Sequence, residues 1–190
     1  HVTEHSFPTR RSSDLYLREK ALDDRIGCAI MVDILNKDLP YDVTCVFTVQ
    51  EEIGTRGAKV AAYTVKPDYA IVLETTTACD FSGNDGEKRV CELGKGCVVS
   101  YMDRSTIYDR ELYRLGFEKA KEINVPCQTK TLVAGGNDSG AIHSSVGGIR
   151  TVALSVPCRY LHSSSCMIKK SDVQSTAELA YAMYLALAEK

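Results

Sequence analysis

Apolar positions recur at helical spacing in four stretches of the chain. This period, close to 3.6 residues, predicts helices over residues 24–36, 58–63, 109–124 and 173–190. Runs rich in β-branched residues predict strands over residues 43–49, 69–73, 97–101, 128–133 and 151–156. Residues 75–96 are predicted as a long loop, and the run Gly135–Gly140 opens a further short helix. Strands that alternate with helices favour an α/β sandwich, in which ligands gather at the carboxyl ends of strands.

Acidic side chains and one histidine occupy those predicted strand ends and one helix start. They are Asp23 and Asp24 before the first helix, Glu51 and Glu52 after the run 43–49, Glu74 after the run 69–73, and His162 after the last strand. Each position alone has an ordinary interpretation. An acidic pair caps a helix, an acid at a strand end is solvated, and a loop histidine forms a hydrogen bond. Their occurrence together indicates a shared site.

Carboxylates with one imidazole, and no cysteine cluster, are ligands suited to divalent zinc, cobalt or manganese. One carboxylate can bridge two such ions, which together activate a water molecule. Because consecutive side chains at a strand end point in different directions, one of Glu51 and Glu52 can bind metal while its neighbour handles the proton of that water.

The amino-acid composition and the net charge exclude several classes of protein and partner. The 190 residues are 44% hydrophobic and 25% charged, which is typical of one globular domain or of part of a larger one. A net charge of −2 gives no electrostatic reason to expect a nucleic-acid or membrane partner. Without a long apolar run or a leader-like segment, we expect a soluble, cytoplasmic protein. The eight cysteines are dispersed and form no CxxC pair, so reduced structural thiols are predicted, with a cysteine nucleophile as the alternative.

The first segment, residues 1–15, shows no apolar periodicity. Its stretch HSFPTRRSSDL, from His5 to Leu15, equals one reading frame of a widely used short-read sequencing adapter. We therefore interpret residues 1–15 as an adapter artefact and residues 16–190 as the native sequence. The alternative is a flexible basic arm at the N-terminus.

Four blocks in the native part resemble the signatures of one enzyme family. They are KALDDRIG at 20–27, TVQEEIGTRGA at 48–58, AGGNDSGAIH at 134–143 and VPCRYLHSS at 156–164. In this order they resemble the glutamyl, deblocking and tetrahedral (TET) aminopeptidases, which are exopeptidases with a dinuclear metal site. The resemblance implies a three-layer α/β sandwich with a mixed, mostly parallel sheet, of the phosphorylase/hydrolase-like kind. It also implies that this chain is the C-terminal part of the catalytic domain.

The resemblance assigns roles to the residues of the site. It implies that Asp23 bridges two divalent metal ions, zinc or cobalt, and that its peptide bond to Asp24 is cis. Glu51 matches the general base, whereas Glu52 and His162 match ligands of one metal ion. Glu74 stands where the family has a ligand of the second ion, often Asp. A further histidine ligand, and an inserted dimerisation domain, would lie upstream of Tyr16.

The loop block implies a substrate pocket lined by Gly136, Asn137 and Asp138, whereas His143 is interpreted as structural. Arg159 and Tyr160 are interpreted as supports of the site rather than catalytic residues. The implied function is hydrolysis of N-terminal residues from peptides by a water that the metal ions activate. The full-length protein is expected to form homo-oligomers built from dimers, up to a dodecamer.

Other functions fit the sequence less well. A serine hydrolase would need a GxSxG turn, but Ser139 comes one position too late in GNDSG. A glycosidase needs two separated carboxylates, and that pattern does not explain Asp23 or His162. The remaining alternative is an inactive fragment, or a divergent subunit, with an incomplete metal site.

Overall fold

A computed structural model describes residues 15–190 of the chain. The interpretation of residues 1–15 as an adapter artefact lies outside the described residues, except at Leu15, and stays a prediction. Within the described part, no helix is both long enough and apolar enough to cross a membrane.

Five helices and six strands make up the described fold, apart from a short 3₁₀ turn at Gly86–Lys88. The helices are α1 (Leu22–Leu35), α2 (Arg56–Val65), α3 (Arg110–Glu122), α4 (Ser139–His143) and α5 (Lys170–Ala188). The strands are β1 (Tyr16–Glu19), β2 (Tyr69–Thr77), β3 (Cys97–Val99), β4 (Cys127–Thr129), β5 (Arg150–Arg159) and β6 (Cys166–Lys169).

The six strands form one mixed sheet in which β5 is central. It pairs with β2 in a parallel ladder that runs from Tyr69 opposite Arg150 to Thr77 opposite Cys158. On its other side β5 pairs antiparallel with β3 and with β6. Strand β4 extends the sheet beside β3 in parallel, and β1 extends it beside β6 in antiparallel. Parallel ladders contain most of the paired residues, which confirms the predicted mixed, mostly parallel sheet.

Helices cover both faces of this sheet, as expected for three layers. One apolar core unites α1, α3 and α5 with the alternate residues Val152, Leu154, Val156 and Cys158 of β5. The side chains between them point to the opposite face, because successive strand residues alternate. There α4 contacts β5 and α2.

The four predicted helices are confirmed with small shifts of their ends. The apolar faces of α1, α3 and α5 pack into this core. Strand β2 continues four residues beyond the predicted strand end, at Leu73, into the predicted loop. Strands β1 and β6 were not predicted, since each has only four residues. All eight cysteines are free thiols.

The predicted strand over residues 43–49 is wrong for the described structure. These residues form no ladder with any described strand. Apolar side chains of the run are exposed, including Phe47 at 47% and Val49 at 65%. A β-branched pattern yields a strand only where a neighbouring strand supplies the hydrogen bonds, and none of the described strands lies beside this run.

Candidate metal centre

Three of the predicted ligands come together, Asp23 from the first turn of α1, Glu52 from the loop before α2 and His162 from the turn after β5. Nε2 of His162 lies 3.2 Å from Oδ2 of Asp23 and 3.5 Å from Oε2 of Glu52. One ligand atom from each side chain lies within 4.8 Å of the others. Burial raises the pKa of Asp23, and the negative charge of Glu52 raises it further. Two carboxylates held this close, beside an imidazole, favour a bound cation that would offset their repulsion.

Asp23 is presented by an irregular first turn of α1. Its backbone angles, φ −87° and ψ 108°, are not helical, and its peptide bond to Asp24 is cis, as the resemblance implies. Asp24 turns inward instead and accepts a hydrogen bond from the backbone N–H of Gly27 at 3.1 Å. Burial raises the pKa of Asp24 to about 8. The two adjacent acids therefore differ in role, with Asp24 supporting the turn that exposes Asp23.

Glu51 and Glu52 sit in a tight loop between the run 43–49 and α2. The backbone N–H groups of Gly54 and Thr55 both donate to the carbonyl oxygen of Glu51, at 3.0 and 2.9 Å. Gly57 packs directly on the backbone of Val49, where a side chain would clash. These contacts fix the backbone that carries both acidic side chains, without any strand pairing.

Glu51 lies beside the cluster and has the electrostatics of a proton acceptor. Burial raises the pKa of Glu51 to about 7, with further contributions from the negative charges of Asp138, Glu52 and Asp23. A general base works best when its pKa lies near the operating pH. A cation bound by the neighbouring acids would lower this pKa, because it would offset the surrounding negative charge.

Glu74 does not belong to the cluster of three. It is partly buried within β2, three residues before the strand ends at Thr77, so the prediction that Glu74 follows the strand is wrong. Its carboxylate accepts a hydrogen bond from Oγ of Ser155 at 2.9 Å. Burial raises the pKa of Glu74 to about 8, and the negative charge of Asp23 adds to the effect. The charge of Asp23 therefore acts on Glu74, but Glu74 lies outside the cluster that contains His162 and Glu52.

His162 lies in the turn between β5 and β6, at a φ of +59°. The strand end before it is fixed by Arg159, whose guanidinium makes two hydrogen bonds to the carboxylate of Asp80, at 2.6 and 2.9 Å. Asp80 also accepts from the backbone N–H of Leu93 at 3.0 Å. Sequence reasoning identified Arg159 as a support but missed Asp80, because nothing in the loop 75–96 marks one acid among several.

The predicted substrate residues Gly136, Asn137 and Asp138 line one open cleft of about 1920 Å³ that also contains the acidic cluster. Asn137 is nevertheless 4% exposed. Its Nδ2 donates to the hydroxyl of Tyr108 at 2.9 Å, and its Oδ1 accepts from the N–H of Ser139 at 2.7 Å. The side chain of Asn137 therefore stabilises the loop that contains Gly136 and Asp138.

Asp138 links this loop to the acidic cluster. Its Oδ2 accepts a hydrogen bond from the hydroxyl of Thr48 at 2.6 Å, while its Oδ1 is buried without a partner among the described residues. Its charge also raises the pKa of Glu51. Thr48 was not singled out in the sequence, since its contact with Asp138 joins residues 90 positions apart. His143 contacts the carbonyl oxygen of Ser139 one turn earlier at 2.8 Å, which fits its structural interpretation.

Comparison with known proteins places this arrangement in context. The sequence model of the family described as M42 glutamyl aminopeptidase matches residues 4–179. The lysyl aminopeptidase of Pyrococcus furiosus is 35% identical over 185 residues, which cover 96% of this chain and 49% of that protein.

Solved structures of aminopeptidases have a similar fold. A TET aminopeptidase from a marine-sediment Thaumarchaeota archaeon superposes with a TM-score of 0.86 at 30% identity, over 92% of this chain and 50% of its own. The Pyrococcus horikoshii TET1 peptidase can assemble into a tetrahedron or a large octahedral shell. It superposes with a TM-score of 0.78 at 31% identity, over 93% of this chain and 51% of its own. The chain spans about half the length of the curated relatives it matches.

Proposed function

Since the chain belongs to the M42 glutamyl aminopeptidase family, we propose that it is part of a metal-dependent aminopeptidase that hydrolyses N-terminal residues from peptides, with Glu51 as the general base. The observation that carries this proposal is the position of Glu51. Its carboxyl group, with a pKa raised to about 7, lies beside a three-ligand cluster in an open cleft. The proposal includes a cytoplasmic location, which rests on the sequence alone.

The residues present fit one divalent cation well. Asp23, Glu52 and His162 would hold it, since two carboxylates and one imidazole are a common ligand set of zinc and cobalt. When bound there, such an ion would supply a Lewis acid that polarises a carbonyl group and lowers the pKa of water. Asp23 and Glu74 would hold a second ion, which is supported by the effect of the negative charge of Asp23 on the pKa of Glu74. Its remaining ligand would be the upstream histidine that the resemblance implies.

Glu51 would move the proton during the reaction. As a carboxylate it takes a proton from the water that attacks the scissile carbonyl, and it then delivers that proton to the leaving amine. Asp138 and Glu52 raise the basicity of Glu51, because their negative charges disfavour the charged form of its carboxyl group. Asp24 and Asn137 do not take part directly, since each is engaged by the backbone of its own turn.

The substrate in this proposal is the amino-terminal end of a peptide. Gly136 and Asp138 line the cleft that also contains Glu51, and the acidic surroundings suit the positively charged amino group of an N-terminal residue. We further propose that the full-length protein forms homo-oligomers built from dimers, up to a dodecamer. This is supported by the assemblies of the Pyrococcus horikoshii TET1 peptidase.

The test uses what we call the completed chain, in which this chain is joined to the part of the Pyrococcus furiosus lysyl aminopeptidase that it does not match. The completed chain should bind two cobalt or zinc ions per chain and release N-terminal residues from short peptides. Glu51→Gln should retain both ions yet lose turnover by roughly 10²- to 10⁴-fold. Glu118→Gln, at an exposed acid on α3, is the matched control and should keep full turnover.

The alternative function is a non-catalytic subunit with an incomplete site. It is favoured by the separation of Glu74 from the cluster of Asp23, Glu52 and His162. Metal content separates the two functions. At most one ion per completed chain, with no release of N-terminal residues, would support the subunit, whereas retained turnover in Glu51→Gln would exclude Glu51 as the base.

A further inference from the structure

The segment that carries Glu51 makes few polar contacts with the rest of the fold. The backbone of residues 43–55 forms its hydrogen bonds within itself and with the start of α2, which follows directly. Among the described residues, the side chains of this segment form two hydrogen bonds or ion pairs with other parts of the chain. One is the contact within the metal cluster, and in the other the hydroxyl of Thr48 donates to Oδ2 of Asp138 at 2.6 Å. Thr48 therefore attaches the segment to the fold three residues before Glu51.

Asp138 is itself held in place by the loop that contains it, residues 134–140. The carbonyl oxygen of Asp138 accepts two N–H groups of α4, at 3.1 and 3.0 Å. The Oδ1 atom of the preceding Asn137 accepts the N–H of Ser139 at 2.7 Å, and its Nδ2 donates to the hydroxyl of Tyr108 at 2.9 Å. Tyr108 thus connects this loop to the interior of the protein.

Tyr108 is 3% exposed, and its hydroxyl donates to Oδ2 of Asp103 at 2.5 Å. Asp103 is buried as well, and its Oδ1 accepts the N–H groups of Ser105 and Thr106 at 2.7 and 2.8 Å. A buried carboxylate is tolerated where donors surround it in this way. Asp103 is therefore the fixed end of a chain of hydrogen bonds that leads through Tyr108 to Asn137.

The hydroxyl of Tyr108 gives this chain of hydrogen bonds a direction. Because the carboxylate of Asp103 only accepts, the hydroxyl of Tyr108 donates to it and keeps a lone pair for the N–H of Asn137. Burial raises the pKa of Tyr108, and the negative charges of Glu74 and Asp103 raise it further, so the hydroxyl keeps its proton. The amide of Asn137 is thereby fixed, with its Oδ1 on the N–H group that follows Asp138.

Close packing also limits the movement of the loop. The N–H of Arg104 donates to the carbonyl oxygen of Gly135 at 2.8 Å. Gly136 and Gly140 both lie against Ser105, and a Cβ atom at either glycine would come within 2.6 Å of its Oγ. The surface beneath the loop thus leaves no space into which it could shift.

We propose that Tyr108 and Thr48 are positioning residues for Glu51. The buried hydrogen bonds of Tyr108 fix the loop that contains Asp138, and Asp138 then fixes Thr48 and the segment that presents Glu51. Tyr108 does not line the cleft, so it acts only through these contacts. The assignment rests on the proposed function, in which Glu51 is the general base. A base must lie within hydrogen-bonding reach of the proton it takes, and a displacement of about 1 Å can cost roughly 100-fold in rate.

Steady-state kinetics of Thr48 variants in the completed chain test the first part, with saturating cobalt and a short peptide substrate. Thr48→Val keeps the shape of the side chain but removes the hydroxyl. It should lower kcat by about 10- to 100-fold and leave KM within about 2-fold, because a displaced base slows the chemical step without removing substrate contacts. Thr48→Ser keeps the hydroxyl, is the matched control, and should retain kcat within about 3-fold.

Tyr108→Phe tests the second part, since it removes only the hydroxyl between Asp103 and Asn137. It should lower kcat by about 10-fold with KM unchanged. The matched control is Tyr113→Phe, which loses a hydroxyl bond to Thr129 at 3.0 Å away from the cleft and should keep kcat. The combined variant with Thr48→Val should lose little more than Thr48→Val alone, because both changes act on the same segment.

Hydrogen exchange measures the positioning without any turnover. The N–H groups of Gly54, Thr55 and Gly57 donate to carbonyl oxygens within the segment, and the segment opens more often once its attachment is lost. These amides should exchange about 10-fold faster in Thr48→Val than in Thr48→Ser. If the completed chain releases no N-terminal residues at all, the proposed function fails, whereas the exchange rates still decide whether Thr48 fixes the segment.

Several results would overturn the proposal. Unchanged kcat in Thr48→Val would do so, as would equal losses in Thr48→Val and Thr48→Ser, which would assign the effect to side-chain volume. A raised KM with unchanged kcat would place the loop in substrate binding instead of positioning. Equal losses in Tyr108→Phe and Tyr113→Phe would indicate general destabilisation. If Tyr108→Phe does not fold, the two Thr48 variants decide the result.

Discussion

The ion pair of Asp80 and Arg159 ties the loop after β2 to the strand end that precedes His162. Removing Asp80 should weaken both the fold and the metal centre. The side chain of Asp80 is 6% exposed and that of Arg159 is 30% exposed. Burial alone would raise the pKa of Asp80, but the hydrogen bonds from Arg159 and Leu93 outweigh burial and hold that pKa below its usual value. The carboxylate is therefore charged in the folded protein at neutral pH.

The expected cost follows from these contacts. Asp80→Ala leaves the guanidinium of Arg159 without its partner and the N–H of Leu93 without an acceptor. Breaking a fully buried ion pair costs about 3–5 kcal/mol, and the partial exposure of Arg159 reduces this, because water can solvate the free guanidinium. We expect Asp80→Ala to lower the free energy of unfolding by about 3 kcal/mol. For a chain of 190 residues that corresponds to a fall in Tm of roughly 6–12 °C.

Thermal and urea unfolding of Asp80→Ala, Arg159→Ala and the double variant measure this cost and the coupling. If the two side chains act as a pair, the double variant should be little less stable than either single variant. Additive losses, or a loss below about 1 kcal/mol for Asp80→Ala, would contradict the reasoning. Asp80→Asn keeps one acceptor for Leu93 and should lose less than Asp80→Ala.

A second measurement separates positioning of the metal ligand from stability alone. Asp80→Ala should weaken binding of cobalt at the cluster containing His162 by roughly 10-fold, as removal of a supporting contact commonly does. Leu112→Ala is the matched control, since Leu112 is fully buried on α3, does not line the cleft, and costs a similar roughly 3 kcal/mol. Equal cobalt affinity in the two variants would show that Asp80 stabilises the fold without positioning the ligand.

Two further predictions concern stability. The hydrogen bonds from Arg150 hold the pKa of Asp109 below its usual value, so the charge of Asp109 stabilises the fold above the unfolded pKa of about 3.9, and that stabilisation is lost as the pH falls through the folded pKa. Thermal unfolding should show Asp109→Asn less stable by about 0.5–1 kcal/mol at pH 7, with the difference disappearing once the pH falls below the folded pKa, and a constant difference would contradict the assignment. Gly96 has a φ of +83° and packs on the carbonyl oxygen of Pro126, so Gly96→Ala should cost more than about 2 kcal/mol. Gly83→Ala, at a φ of +91° but with open space around it, should cost only about 1 kcal/mol, and equal melting temperatures would refute the role of the contact.

The helices were predictable because their signal is local. In α3, Leu112 and Ala120 repeat on one face and pack into the core, while Asp109 caps the first turn through the N–H groups of Glu111 and Leu112. Both the spacing and the cap are present within 16 consecutive residues of sequence. A strand lacks this property, because its hydrogen bonds come from a partner elsewhere in the chain.

Strand β1 shows why the remaining sheet was not predictable. Its four residues pair with β6, where Tyr16 lies opposite Lys169, and no pattern in so short a run indicates that partner. The run 43–49 is the opposite case. Its alternation is strong, yet the described structure contains no strand to pair with it. Both errors have one cause, since strand pairing depends on residues distant in the sequence.

In the candidate site, the ligands were predictable from the sequence but the contacts that support them were not. Asp23, Glu52 and His162 were predictable from their residue types and from the sequence blocks that contain them, and they do converge. The geometric reason given for Glu52 was wrong, since the run 43–49 before it is not a strand, and only His162 follows a strand of the described sheet. The supporting contacts were not predictable, since Thr48 reaches Asp138 and Arg159 reaches Asp80 across 90 and 79 positions.

Glu74 lies within β2, and its only described side-chain hydrogen bond comes from Ser155 on the neighbouring strand β5. It is the one predicted ligand that lies outside the cluster of Asp23, Glu52 and His162. If Glu74 helps to hold the second proposed ion, then in the completed chain Glu74→Gln should lower cobalt content from two ions per chain towards one. Glu118→Gln, at an exposed acid on α3, should leave it at two.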